Sequence, residues 1–395
     1  YNFYVLGIEM CYIPSGSFNL GDEGITGYGT TTLTFKNLNV TSEAAIVTTD
    51  IGGGIQNNIP AAYPKGYDAF YCMKYEISQW QYAEFLNLLS YDQQAARTMA
   101  YAPPNSDPDL TGVCAMDTSC RNRNSIKIIQ KGINNTRAAV YGVDLAPAPG
   151  DPFNSSNDGG GIAMNYLKWD DLLAYLDWAC LAPMTNLQFE KIARGKQARI
   201  ANEYIWGNTL ITQAISNSLQ ASTDGTPTEQ STSVGNEGLC AYNASAASTT
   251  LGPLRNGFAA TSTSTRSQAA AAYYGVQNLG GNVWEMVMGG SNYNNNGYKL
   301  TTTDVGNGGL TAAGETDVLN WLYGNNAYTL NGGCYYWHFE MRGGSYCSAA
   351  ETVRTSDRSK NMTLCGGIAP FGYGGAISSA IRQKDVGGRG VRPIN

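Results

Sequence analysis

Cysteine is the residue type in this chain best suited to chemistry. It occurs nine times, at Cys11, Cys72, Cys114, Cys120, Cys180, Cys240, Cys334, Cys347 and Cys365. A thiolate is a nucleophile and a soft metal ligand, whereas a buried thiol packs as a small apolar side chain. Cys114 and Cys120 flank a short polar segment, and we expect a disulfide between them in an oxidising compartment. Most of the other cysteines are interpreted as buried core residues.

Histidine, the other common catalytic and metal-binding residue, occurs once, as His338. A single histidine excludes every site that needs two or more histidine ligands, such as a three-histidine iron or zinc centre. A hydrolase that uses His338 with a serine stays open. The surrounding segment 335–339 is more simply interpreted as an aromatic strand.

The charge of the chain limits its partners. Charged residues make up 14% of the sequence and the net charge is -6, against about 25% charged residues in ordinary soluble proteins. Without a run of Lys and Arg, nucleic-acid binding is disfavoured. No apolar run approaches the roughly 18 residues that a membrane span needs. The low charge and the expected disulfide favour an extracellular location, and the start at Tyr1 is typical of a secreted chain whose signal peptide has been removed.

Three helices are predicted to carry the scaffold. The first follows a capping box at Ser78 and has apolar residues at helical spacing from Tyr82 onward. The second runs from about residue 170 to 180. The third begins after a capping box at Thr185 and ends near Gly195, where a C-terminal glycine belongs.

Between these helices lie long segments without helical periodicity. We interpret them as insertions on one compact α+β domain that spans residues 1–395, with little regular secondary structure. We find no repeat or linker that would favour two domains. The insertions fall near residues 21–60, 100–160, 210–250, 290–335 and 360–388.

Seven short motifs follow one another in an order that resembles the formylglycine-generating-enzyme (sulfatase-modifying factor) domain family. The resemblance implies a variant of the C-type-lectin fold, and it extends from about residue 5 to residue 392. The motifs lie at residues 8–22, 74–86, 183–195, 206–208, 281–285, 342–345 and 390–392.

The family oxidises a sulfatase cysteine to formylglycine, using two cysteines five positions apart that bind copper as thiolates. They follow the motif Arg-Gly-Gly-Ser, which here begins at Arg342. Counted from Arg342 with the family's spacing, the two cysteine positions are occupied by Ser348 and Val353. Cys347 lies one residue before the first of them. The resemblance therefore implies a member that binds no copper and has no catalytic residues. The single histidine also excludes the iron of the sulfoxide-synthase branch.

An oxidase with a rearranged site remains as one alternative. In it, a bulge in the strand and another cysteine, Cys334 or Cys365, would rebuild a thiolate pair with Cys347. Otherwise Thr352 is the residue at the family's spacing from Cys347, and it has no thiol.

The resemblance also implies a structural calcium ion around the turn at residues 278–285. The ligands would be the side chains of Asn278 and Glu285 and the backbone carbonyls of Gly281 and Val283, an all-oxygen set of the kind calcium prefers. The alternative is a tight glycine turn in which Glu285 pairs with an arginine.

Arg342, Arg354, Arg358 and Arg392 match buried arginines of the family. They could line a cleft for an anion or a peptide. We favour a structural role instead, in which they hold the loop-rich core together by charge-assisted hydrogen bonds.

A scaffold that has lost its catalytic pair needs another function. We expect a non-catalytic extracellular structural protein that assembles into a homo-oligomer or polymer, such as a filament, sheath or surface layer, because low charge suits a surface covered by neighbours. Residues 1–12 form an apolar, strand-like segment whose Tyr1, Phe3 and Val5 could add to a neighbouring sheet. The alternative is a lectin-like module on the cell surface that binds a glycan or a protein.

Overall fold

The computed structural model describes the chain in ten stretches: residues 5–22, 37–46, 59–99, 111–134, 136–145, 151–289, 304–318, 321, 339–360 and 382–394. In them, short helices and strands alternate with long irregular segments, which confirms the predicted loop-rich α+β class. The helices are α1 (Gln79–Asn87), α2 (Tyr91–Arg97), α3 (Trp169–Trp178) and α4 (Asn186–Arg194).

The strands are short and are numbered in chain order. They are β1 (Met10–Ile13), β2 (Phe18–Leu20), β3 (Leu38–Val40), β4 (Phe70–Met73), β5 (Ile126–Gln130), β6 (Val140–Val143), β7 (Ala182–Pro183), β8 (Thr212–Ala214), β9 (Leu239–Ala241), β10 (Trp284–Met288), β11 (Phe339–Arg342), β12 (Val386–Gly387) and β13 (Gly390–Pro393).

The three predicted helices are confirmed, and their capping boxes explain where they begin. Ser78 Oγ accepts a hydrogen bond from Gln81 N at 3.2 Å, and Gln81 Oε1 accepts one from Ser78 N at 2.9 Å. Thr185 caps α4 in the same way. Helix α2 was not predicted, because its middle is polar and lacks an apolar repeat, although Ser90 forms a further capping box.

Two sheets bring distant parts of the chain together. The larger has the order β1-β4-β13-β7, so β4 joins the first and last strands of the chain in one sheet. The smaller has the order β11-β10-β12, and its central strand β10 is buried along its whole length. The hydrophobic core runs through both sheets and includes Ile13, Trp284 and Val391.

The N-terminal strand differs from the prediction. Regular strand structure begins only at Met10, and Val5, which precedes it, is 94% exposed. Tyr1 and Phe3 lie outside the described residues. Within the chain, regular strand covers only residues 10–12 of the predicted segment 1–12, and Glu9 adds one backbone hydrogen bond from Lys74 N. Addition of Val5 to a neighbouring sheet stays a prediction.

The predicted insertions are described to different extents. Segment 210–250 is described throughout and holds the parallel pair β8 and β9. The other four lie partly outside the described residues. In the stretches that the structure describes, no helix is both long and apolar enough to span a bilayer.

Candidate functional site

The motif at residues 342–345 forms a turn directly after β11. Gly343 and Gly344 both have positive φ, at 87° and 75°. A Cβ atom at residue 343 would lie 2.4 Å from the carbonyl oxygen of Leu279, so the turn requires glycine at that point. The turn leads into the two positions at which the resemblance predicts a thiolate pair.

The side chains at these two positions both border Gly344. A Cβ atom placed on Gly344 would lie 2.9 Å from Ser348 Oγ and 3.1 Å from Val353 Cγ2. Thr352 Oγ1 would lie nearer still, at 2.6 Å, so three side chains without a thiol border the turn at Gly344.

Ser348 and Val353 hold no group that could replace a thiolate. Ser348 Oγ accepts a hydrogen bond from Ser345 N at 2.7 Å, donates one to Ser345 O at 3.1 Å and lies 2.7 Å from Thr352 Oγ1. Val353 is fully buried and ends a short 3₁₀ helix. The hydroxyl is therefore part of a closed loop, and the valine offers no donor atom.

Cys347, one residue away, contacts a different group. Its Sγ donates a hydrogen bond to Asp385 Oδ2 at 3.4 Å, and Ser345 Oγ donates to the same oxygen at 2.9 Å. Thr352 lies at the family's spacing from Cys347. Its hydroxyl donates a hydrogen bond to the Ala349 carbonyl and lies within hydrogen-bonding distance of Ser348 Oγ.

Cys240 is another free cysteine close to this turn. It is fully buried, its Sγ donates to Gly280 O at 3.2 Å, and burial raises the pKa of its thiol. Cys334, Cys365 and His338, on which the rearranged oxidase and the hydrolase depend, lie outside the described residues.

The predicted calcium ligands have protein partners. Asn278 Oδ1 accepts a hydrogen bond from Gly257 N at 2.6 Å. Glu285 Oε1 accepts one from Arg389 Nε at 2.7 Å, and both side chains are fully buried. A guanidinium that already neutralises the single charged ligand does not fit a calcium site, so the arrangement favours the arginine pair. Calcium binding through Asn278, Gly281, Val283 and Glu285 stays a prediction.

A second buried carboxylate stands near this ion pair. Glu76 accepts hydrogen bonds from Asn282 Nδ2 and Val283 N. Burial and the neighbouring Glu285 carboxylate raise the pKa of Glu76 well above its usual value. In the described residues, no group of three or more His, Cys, Asp or Glu side chains is arranged to hold a metal.

Two of the four predicted structural arginines meet at one carboxylate. Glu190, fully buried on α4, accepts from Arg358 Nη2 at 2.6 Å and lies 3.7 Å from Arg342 Nη2. Arg194, one turn later on the same helix, adds a third guanidinium at 2.7 Å. Burial alone would raise the pKa of Glu190, but Arg358, Arg194 and Arg342 together lower it to about 2.

The other two predicted arginines lie nearer the surface. Arg354 is half-buried, and its backbone bridges to Tyr204. Arg392 is exposed and donates to the Cys180 carbonyl, so the expectation that it is buried is wrong. The buried arginine of this C-terminal segment is Arg389, three residues earlier. The sequence held no signal that separates the two, because strand register decides which side chain points inward.

Cys114 and Cys120 are joined by a disulfide in the structure.

A mainly apolar pocket of about 350 Å³ lies between the N-terminal segment and helices α1 and α3. It is lined by Leu6, Gly7, Ile8, Trp80, Gln81, Tyr175, Trp178 and Ala179.

A family model described as the "Sulfatase-modifying factor enzyme 1-like domain" matches residues 7–367. Among curated proteins, none matches the chain. Among solved structures, PvdO from Pseudomonas aeruginosa is similar at 12% identity and a TM-score of 0.40, covering 98% of this chain and 94% of PvdO. CarF is similar at 13% identity and a TM-score of 0.38, covering 99% of this chain and 100% of CarF. Treponema denticola variable protein 1 is similar at 10% identity and a TM-score of 0.39, covering 100% of this chain and 98% of that protein.

Proposed function

We propose that this chain, which belongs to the sulfatase-modifying factor family, is a non-catalytic member that works outside the cell as a self-assembling structural subunit. The observation that carries the proposal is the pair Ser348 and Val353 at the positions of the copper-binding cysteines. Both side chains border Gly344 in the turn that follows β11. A neutral hydroxyl and an isopropyl group, however, supply neither of the soft thiolate ligands that Cu(I) prefers.

The loss of oxidation is tested with a sulfatase-derived peptide, Cu(I) and oxygen. We expect mass spectrometry to find the peptide cysteine unchanged, while an active family enzyme converts it in parallel. The double variant Ser348→Cys/Val353→Cys is the matched control, and it should bind more Cu(I) than the wild type because it restores the two thiols that the resemblance implies for this site. Stoichiometric conversion by the wild type would contradict the proposal.

Two observations support an extracellular, assembling role. The Cys114–Cys120 disulfide suits an oxidising compartment. The 14% of charged residues gives the surface little electrostatic repulsion against association. A chain with few surface charges is more readily soluble when neighbouring copies cover part of that surface. We therefore favour a polymer or homo-oligomer over an isolated receptor.

The apolar pocket supports a second candidate function, a surface module that binds a ligand. Its volume of about 350 Å³ lies within the usual range of small-molecule sites, about 300–1,000 Å³. Trp80 and Trp178 offer aromatic faces there, and Gln81 offers a polar group. This function would apply if the purified protein stays monomeric and binds a glycan or a protein tightly.

A further inference from the structure

Strand β1 lies at the edge of the four-stranded sheet and pairs with β4 on one side. Lys74 N donates to Glu9 O at 2.8 Å across this pair, so the backbone polar groups of Glu9 and Cys11 point toward β4. These groups alternate in direction along an antiparallel strand, and those of Met10 and Tyr12 therefore point away from the sheet. The outer edge of β1 thus offers donors and acceptors to which the described residues present no partner strand.

Two exposed aromatic rings lie beside this edge. Tyr12 is 52% exposed, Tyr71 is 40% exposed, and their rings lie 5.5 Å apart. Edge strands usually carry a charge that prevents pairing with another chain. Here the Glu9 carboxylate is neutralised by Lys74 Nζ at 2.6 Å. The edge therefore combines exposed aromatic rings with outward backbone groups to which the described residues present no partner, while the exposed cation Arg392 lies two strands away, opposite Tyr71.

We propose that the β1 edges of two copies of this chain pair antiparallel about a two-fold axis at Cys11, which joins the two sheets into one. This pairing rests on the self-assembly proposed above and identifies β1 as the surface through which two copies associate. In this register, Met10 of each copy exchanges both backbone hydrogen bonds with Tyr12 of the other. A register centred on Tyr12 would set Pro14, which has no N–H, against Met10 beside the axis, whereas the Cys11 register sets Pro14 at the end of the ladder and loses a hydrogen bond only there.

A second copy fits this edge because a two-fold axis makes identical edges complementary. The register sets Glu9 opposite Ile13 of the other copy, so like charges do not face each other. It also sets Ile8 opposite Pro14 of the other copy. The chain around that proline then passes the apolar pocket, whose burial would enlarge the contact toward the roughly 1,600 Å² of a standard interface.

Oxidative cross-linking tests the register. The proposal makes the two Cys11 residues directly opposite in a non-hydrogen-bonded pair, with Cα atoms about 4.5 Å apart. That separation allows a disulfide, whose usual range is about 4.4–6.8 Å. With diamide as the oxidant, we expect a covalent dimer from the wild type and none from Cys11→Ser.

Two cysteine controls make the cross-link specific. Cys180 is a free cysteine of similar partial exposure, and Cys180→Ser should still form the dimer. Cys72 lies opposite Cys11 within the chain. Cys72→Ala removes that intrachain competitor and should also retain the dimer. A covalent dimer that persists in Cys11→Ser would overturn the proposed register.

A proline variant tests the pairing without oxidation. Tyr12→Pro removes an outward N–H and leaves the ladder to β4 intact, whereas Tyr12→Val keeps that N–H. We expect dimerisation measured by sedimentation velocity to be at least about tenfold weaker in Tyr12→Pro, with thermal midpoints that match. Equal association of the two variants would overturn the β1 contact. Association without Cys11 cross-linking would overturn the contact and leave self-assembly standing, whereas a wild type that is always monomeric would overturn both.

Discussion

At the scale of single residues, the core of this protein is organised around buried charges. Glu190 is surrounded by Arg194, Arg342 and Arg358, and it also accepts hydrogen bonds from Ser356 Oγ and Gly21 N at 2.7 Å. Removing one partner from a buried ion pair leaves the others without compensation. These residues therefore act together, and they tie α4 to the segment after β11.

Replacing Glu190 tests this network. Glu190→Gln should lower the free energy of unfolding by about 3–5 kcal/mol, because it leaves buried guanidiniums unpaired. Asp151→Asn, at an exposed carboxylate, is the control and should have little effect. Chemical denaturation at neutral pH measures both. Equal stability of the two variants would contradict the role of Glu190.

The same carboxylate predicts a pH dependence. The pKa of Glu190 is about 2 in the folded chain, against 4.5 for an ordinary glutamate. Its contribution to stability is therefore present above about pH 4.5 and is lost as the pH falls toward about 2. The Glu190→Gln variant should lack that part of the acid dependence.

Substitutions at Glu285 and Arg389 test whether the partner of the Glu285 carboxylate is the Arg389 guanidinium or a calcium ion. We expect Glu285→Gln to lose stability equally in calcium and in chelator, because it leaves Arg389 buried without its partner. Glu285→Gln/Arg389→Met removes both charges and should be more stable than the single variant. A loss that appears in calcium buffer alone would instead establish the predicted site at Asn278, Gly281, Val283 and Glu285.

At the scale of elements, helix ends follow from local sequence. Gly195 ends α4 with a φ of 61°, and a Cβ atom there would lie 2.1 Å from the Tyr273 ring. The glycine therefore serves both the backbone conformation and the approach of a neighbouring aromatic side chain.

Gly195→Ala should separate these two effects. A positive φ costs a non-glycine residue about 1–2 kcal/mol, and the clash with Tyr273 adds about 1–3 kcal/mol. Gly235→Ala is the matched control, because Gly235 also has positive φ but has no atom within 4 Å of its Cβ position. Urea denaturation should find Gly195→Ala the less stable of the two, and the reverse order would contradict the account.

Local signals predicted α1, α3, α4 and the Cys114–Cys120 pair, because the interacting residues lie close together in the sequence. The partner of Glu285 could not be predicted, since Arg389 is distant along the chain and meets it through the folding of two sheets. The exposure of Arg392 and the short length of β1 likewise depend on register and on neighbouring strands. Sequence motifs identified the family, but they could not assign these contacts.

At the scale of the whole molecule, buried ion pairs hold together a fold of loops and short strands, and in our proposal the positions of the family's two thiols carry Ser348 and Val353. Such a scaffold is free to serve assembly, since function depends on sites added to a fold. The exposed edge of β1 and the low overall charge are the features that favour association with other copies.

Sedimentation velocity of the purified full-length chain tests self-assembly most directly. We predict species larger than the monomer whose proportion rises with concentration in the micromolar range. Deleting residues 1–7 should weaken this association without lowering the thermal midpoint, because the core begins after them. A full-length protein that remains a monodisperse monomer across salt and calcium conditions would contradict the account, and tight binding of a glycan or protein by that monomer would establish the receptor function instead.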